Sequence, residues 1–420
     1  MNRSRSSRGA IVGCMVLGAI SLCAAPAPAT TTRWSSMQVP VGLGRDDASV
    51  EYFPTLADEI SSGIYADPGL DRGCPCPPGI CREESANLAP SSRVPRVLWI
   101  PPLRSPRLFL AARGSEEVRI GATGWRPGGV MIGIAGLYSH RFDQATEEYR
   151  LVTQSGPELR HGDRSTKRDL YYGILGWRAG DPGGTCLDGA LGFGFDRRSI
   201  ERRQIDSPRE EILRTDPIDR PSWQATGLFT QPLRGGNLRA LLGGGWERGE
   251  QDVKKYSIDG LDVAPGHRAA GPRTSSVYGD LAWMGQLGQV RLFCCGLSLT
   301  RTQMRDTDFP GPVVSIRQTT ARRFQATAFA GAEVIPLPWL ALRAGASKCY
   351  EDVRSSSELE RSWPHASVSV NETDTSRGFR APAVTTGIGL RHKKLRADLQ
   401  LDLGTALSYM FNRASVSYEF

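Results

Sequence analysis

From about residue 117 to the C-terminus, apolar and polar residues alternate with a period of two. Leu187, Gly189, Leu191, Phe193 and Phe195 interleave with Asp188, Ala190, Gly192, Gly194 and Asp196. Phe324, Ala326, Ala328 and Ala330 interleave with Arg323, Gln325, Thr327 and Phe329, and Leu395, Ala397, Leu399 and Leu401 with Arg396, Asp398, Gln400 and Asp402. Successive side chains of a strand point to opposite faces, so this pattern belongs to a sheet with a different solvent on each side. The runs are about 10 residues long, whereas soluble strands cluster near 5 to 6 and a tilted strand crossing a bilayer needs about 9 to 11. Hydrophobic content is 40% and charged content 23%, and no apolar run of about 20 residues follows the N-terminus, which excludes a helical membrane protein. The expected fold is all-β: a closed antiparallel transmembrane barrel.

The second face of each ribbon is charged. Asp188, Arg239, Asp280, Arg291, Arg323, Arg343, Arg391, Arg396, Asp398 and Asp402 are all expected to line the lumen. Unpaired charges in a dry core cost several kcal/mol each. A hydrated interior, or an interior laced by salt bridges, removes that cost. A closed cylinder also pairs every backbone N–H and C=O inside lipid.

The connections alternate in length. Asp181–Gly184, Pro232–Gly236, Leu287–Gln289, Pro336–Pro338 and Lys393–Lys394 are short, while 197–221, 249–274, 302–321 and 351–380 are long. Short periplasmic turns and long extracellular loops are the habit of outer-membrane barrels. Counting back from the last strand puts all the short turns on the side of the C-terminus. The strand list reads about 14, within 12 to 16, an even number as closure requires, with the barrel spanning 106–420. Trp125, Trp177, Trp223, Trp246, Trp339, Tyr350, Tyr409 and Phe411 fall near strand ends, where interfacial girdles favour aromatic rings.

The N-terminus has the layout of a secretory signal over residues 1–29: Arg3, Arg5 and Arg8, an apolar run from Ala10 to Ala24, then Ala27-Pro28-Ala29. Residues 30–105 are rich in Pro, Ser and Gly and read as an irregular periplasmic or plug-like segment. Cys74, Cys76 and Cys81 sit in a Pro-rich run and are read as a possible disulfide loop; with no His nearby to complete a donor set, no metal is expected. The net charge of +8 suits anionic lipid headgroups or an anionic solute better than nucleic acid, for which an exported chain has little use.

The chain ends Arg413-Ala-Ser-Val-Ser-Tyr-Glu-Phe420, with Val416, Tyr418 and Phe420 on one face of a strand. This terminus resembles the last strand of Gram-negative outer-membrane β-barrel proteins, which the barrel-assembly machinery recognises. The resemblance implies residence in the outer membrane among phospholipid and lipopolysaccharide. It also implies transport of small solutes or hydrophobic compounds, or else a structural, adhesive or assembly role for long Arg-rich extracellular loops such as Arg197–Arg220. Phosphate-binding loops and nucleophile elbows are absent, and no cofactor is expected. A lesser alternative is His365-Ala366-Ser367, which places a base and a hydroxyl on one strand face. It resembles the His-x-Ser of the outer-membrane phospholipase A and lipid A deacylase barrels, without their surrounding Ser-Asn-Gly.

Overall fold

The computed structural model describes residues 31–67, apart from 41–42 and 44–46, and residues 96–420, apart from 104–105, 114–116, 154–155, 182, 205–210, 216–217, 259–260, 263–266, 288–289, 309–314, 364–365 and 404–410. The strands in chain order are β1 (Gly63–Asp67), β2 (Arg96–Ile100), β3 (Arg107–Arg113), β4 (Glu117–Trp125), β5 (Met131–Thr153), β6 (Gly156–Gly180), β7 (Cys186–Gln204), β8 (Glu211–Thr215), β9 (Ile218–Leu233), β10 (Gly236–Ile258), β11 (Leu261–Asp262), β12 (His267–Leu287), β13 (Val290–Asp308), β14 (Ser315–Leu337), β15 (Leu340–Trp363), β16 (Ala366–Phe379), β17 (Ala383–His392), β18 (Leu395–Asp402) and β19 (Phe411–Glu419). They form one antiparallel sheet that closes on itself where β1 pairs with both β2 and β19. At the seam Gly63 faces Glu419, and the Phe420 amide donates to the Ser62 carbonyl.

Among the described residues the wall contains sixteen strands. β8 and β11 pair only near the tips of β7 and β10, and β16 continues above β17 along the same partner, β15. The sequence-based count of about 14 differs for two reasons. The ribbons read from the sequence at 130–140 and 146–155 as two strands fall on one continuous strand, β5, and three strands, β1 to β3, precede the first one expected, at 117–125. β1 and β2 lie inside 30–105, so the barrel begins at Gly63 and not near 106. With only five residues each and Pro-rich neighbours, β1 and β2 alternate too briefly to register as a period.

The five short turns named from the sequence all lie at the end that holds Ser62 and Phe420. The β9–β10 turn is typical: Leu233 pairs with Gly236 across Arg234-Gly235, and Gly235 takes φ +83, which a side chain would resist. At the opposite end the wall is uneven. β5, β6, β10, β14 and β15 run 23 to 25 residues, whereas β1 to β4 and β17 to β19 run 5 to 10. At about 3.3 Å per residue the tall strands reach roughly 80 Å, more than twice the ~30 Å hydrocarbon core. Much of 197–221, 249–274, 302–321 and 351–380, expected to be loops, is thus continued β-hairpin. Those stretches carry polar residues on both faces, such as Arg354-Ser355-Ser356-Ser357-Glu358, so no apolar stripe marks them as strands.

The lower wall alternates as the sequence alternates. Leu191, Phe193 and Phe195 are outward and exposed, while Asp188, Ala190 and Asp196 are inward and buried. Ile120 at 62%, Val277 at 65% and Leu242 at 66% exposure make the outer surface far more apolar than water tolerates over a contiguous area; a belt like this is the surface of a barrel seated in hydrocarbon. Trp99, Trp125 and Trp339 stand exposed near the short-turn end. Tyr350 on β15 and Trp223 on β9 stand roughly ten residues above that end, the span of a crossing strand. Val416, Tyr418 and Phe420 share this outer face, while Ser415 and Ser417 turn inward.

Candidate functional site

The interior is filled from the N-terminal side. Residues 31–62 form a plug: a short helix α1 (Thr31–Ser35), then single turns of 3₁₀ helix at Ala48–Glu51 and Pro54–Asp58. Pro54 starts its turn, where a missing N–H costs nothing. The plug is irregular, but its apolar residues are almost completely buried. Met37, Leu43, Val50, Phe53 and Ala57 have no exposed surface, and Leu56 has 1%. They merge with inward side chains of the wall, including Leu98, Phe109, Ile174, Leu228 and Phe329, in one cluster. Burying a side chain of this size contributes about 1.5–3 kcal/mol.

The wall is shaped for the plug. A Cβ at Gly331 or Gly345 would collide with the backbone of Met37, and one at Gly387 with Ser36. These glycines sit at inward positions of β14, β15 and β17, where any other residue would push the Ser36–Gln38 turn off the sheet. Gln38 bonds Thr385 and Ser347, the Thr385 hydroxyl donates to the Ser36 carbonyl, and Ser35 donates to Gln400.

Three ionic anchors complete the attachment. Glu51 faces three wall arginines: its carboxylate takes Arg96, Arg113 at 3.0 Å and Arg119 at 3.4 Å, and Arg96 also holds Asp47 at 2.6 Å. Burial alone would raise the Glu51 carboxyl; the guanidiniums of Arg96, Arg119 and Arg113 overcome it and hold the group down at about 2. At the second anchor Arg178 reaches Glu59 at 2.6 Å and Asp188 at 2.5 Å, with the Thr55 hydroxyl 3.4 Å from the same aspartate. The third is a chain: Arg33 to Glu333 at 2.6 Å, Glu333 to Arg343 at 2.7 Å, Arg343 to Asp398 at 2.7 Å and Asp398 to Arg396 at 2.9 Å. Arg239 adds a bond to the Leu43 carbonyl at 2.5 Å. All these wall residues lie within about eight positions of the short turns, so the plug occupies the half of the barrel nearest the termini.

Of the residues expected to line the lumen, Asp188, Asp280, Arg343, Arg396 and Asp398 are inward and buried. Arg239, Arg323 and Arg391 are inward and half-buried, with Arg323 2.5 Å from Glu351. Arg291 differs. It alternates with the inward Leu292 and Cys294, so β13 puts it on the outer face, exposed, at the rim of the short-turn end. The Asp402 side chain, His365, the Ser367 side chain, and Cys74, Cys76 and Cys81 lie outside the described residues. Among the described residues no three His, Cys, Asp or Glu gather as metal ligands.

Sequence reasoning missed Glu51, Asp47 and their arginine partners. Residues 31–62 show no period, and nothing local tells a buried acid from a solvated one. One usable signal was present: glycine repeated at inward positions of neighbouring strands, which leaves room for another segment to approach the wall closely.

No family model matches the sequence, and no curated protein does. Among solved structures, a Pseudomonas aeruginosa FadL homologue aligns with 95% of this chain and 100% of its own length, at 12% identity and a TM-score of 0.38.

Proposed function

We propose that this protein is a gated transport barrel of the Gram-negative outer membrane, reached by way of the signal sequence and the barrel-assembly machinery, with the short turns in the periplasm. Its cargo class is small solutes or hydrophobic compounds. The observation that carries the reading is the plug. A barrel whose task was only structural would gain rigidity from wall-to-wall pairs, yet here a separate segment fills half of the lumen and, beside its apolar packing, is held by ion pairs and single hydrogen bonds that can be exchanged. Passage requires the plug to shift, so the resting state is closed and opening is linked to a ligand that prefers the shifted arrangement.

Planar-bilayer recording on the reconstituted chain tests this. The full protein should conduct little, and a variant lacking residues 31–60 should conduct steadily and admit solutes in liposome swelling. Equal conductance of the two would count decisively against a gating plug. The tall hairpins favour a second reading, a barrel that displays an adhesive β-wall; shortening β15 and β16 would then abolish partner binding and leave solute entry unchanged.

A further inference from the structure

Between α1 of the plug and the wall lies a cavity of about 80 Å³, open at the short-turn rim. A single water needs about 10–15 Å³ on this kind of measure, so there is room for a polyatomic ion. Its lining includes Arg33, Arg343, Arg391 and Arg396, with Arg291 at the mouth and Glu333 as the sole acid.

The nearby carboxylates are committed elsewhere. Glu333 is taken by Arg33 and Arg343, and Asp398 by Arg343 and Arg396. Glu419 feels the charge of Arg391 but makes no hydrogen bond to it. Arg391 is inward on β17, and its Nε and Nη2 are enclosed without a hydrogen-bond partner among the described residues. Those two nitrogens form one edge of the guanidinium, the edge that takes a carboxylate or phosphate through two parallel bonds. Around it Arg396 and Arg291 add positive charge that the remaining acids do not cancel.

We infer that this cavity is an oxyanion-binding site, in which Arg391 grips a phosphate or carboxylate group by its Nε–Nη2 edge beside Arg33 of the plug. An anion there touches plug and wall together, so it would reinforce the third anchor from the periplasmic side. The site stands whether or not solutes pass through the barrel.

The test is a ³¹P line-broadening titration of inorganic phosphate into the detergent-solubilised full chain at constant ionic strength. Wild type should show saturable binding. Arg391→Gln should weaken it about tenfold or more, and Arg391→Lys, which keeps the charge without the edge, should fall between. Arg354→Gln, an exposed arginine far up β15, should bind as wild type. Heat-modifiable migration on gels verifies that each variant is folded; if Arg391→Gln is not, the lysine variant decides. A parallel titration with octyl phosphate separates the sources: tighter binding than phosphate identifies the headgroup of an amphiphile, equal binding a free ion, and both uphold the site. Unsaturable binding in wild type, or full binding by a folded Arg391 variant, overturns it, since Arg391 would then be only a neighbour of Glu419.

Discussion

Glu51 shows how far a single side chain decides the state of this lumen. Its carboxylate pairs with three guanidiniums that Asp47 and Glu117 neutralise only in part, so Glu51→Gln leaves excess buried positive charge; such losses cost about 3–5 kcal/mol. The expected outcome is a plug that protease cuts in folded barrels while wild type resists. The carboxyl is depressed from 4.5 to about 2. Its contribution is therefore complete above about 4.5 and disappears as pH falls toward 2. Plug protection should hold flat from pH 7 to near 4.5 and decline below; in Glu51→Gln this acid limb should be missing. An identical decline in both proteins would assign it to other carboxylates. Sequence exposed much at this scale on the wall, where Asp188 and Arg343 fall on the inward stripe, and nothing of Glu51. Alternation is a property of strands, and the partners of Glu51 lie 45 to 68 positions away.

At the scale of elements, packing between plug and wall rests on small residues. Gly345→Val is expected to displace the Ser36–Gln38 turn while β15 keeps its pairing with β14 and β17. Protease sensitivity within residues 31–62, with unchanged heat-modifiable migration, is the checking measurement; an undisturbed plug would mean the turn adapts. Leu56→Ala, at a site with 1% exposure, should destabilise plug docking by about 2–5 kcal/mol, read as a lower denaturant midpoint for exposure of Trp34. Strands with an oily face were legible from sequence because lipid on one side enforces a period. The upper halves of β14 and β15 were not, since both of their faces carry polar side chains and backbone pairing with β13, with each other and with β16 holds them without an apolar stripe. β1 and β2 escaped through brevity.

The whole molecule joins its first and last strands at one seam. β1 and β19 are separated by more than 340 residues of chain, and contacts this distant form late because loop closure must precede them. Deleting Phe420 removes the residue that bonds Ser62 across the seam; slower acquisition of the heat-modifiable form is expected, measured by gel shift over time. The plug runs directly into β1 at that same seam. A cylinder closed first would leave thirty residues to thread through a narrow rim and then find three sets of arginines. The economical order is the reverse: the curling sheet gathers the plug while its edges are still apart, and the final zipping of β1 to β19 encloses it. Assembly in that order delivers the protein with its lumen already occupied, and under the proposed function whatever displaces the plug acts on a finished barrel.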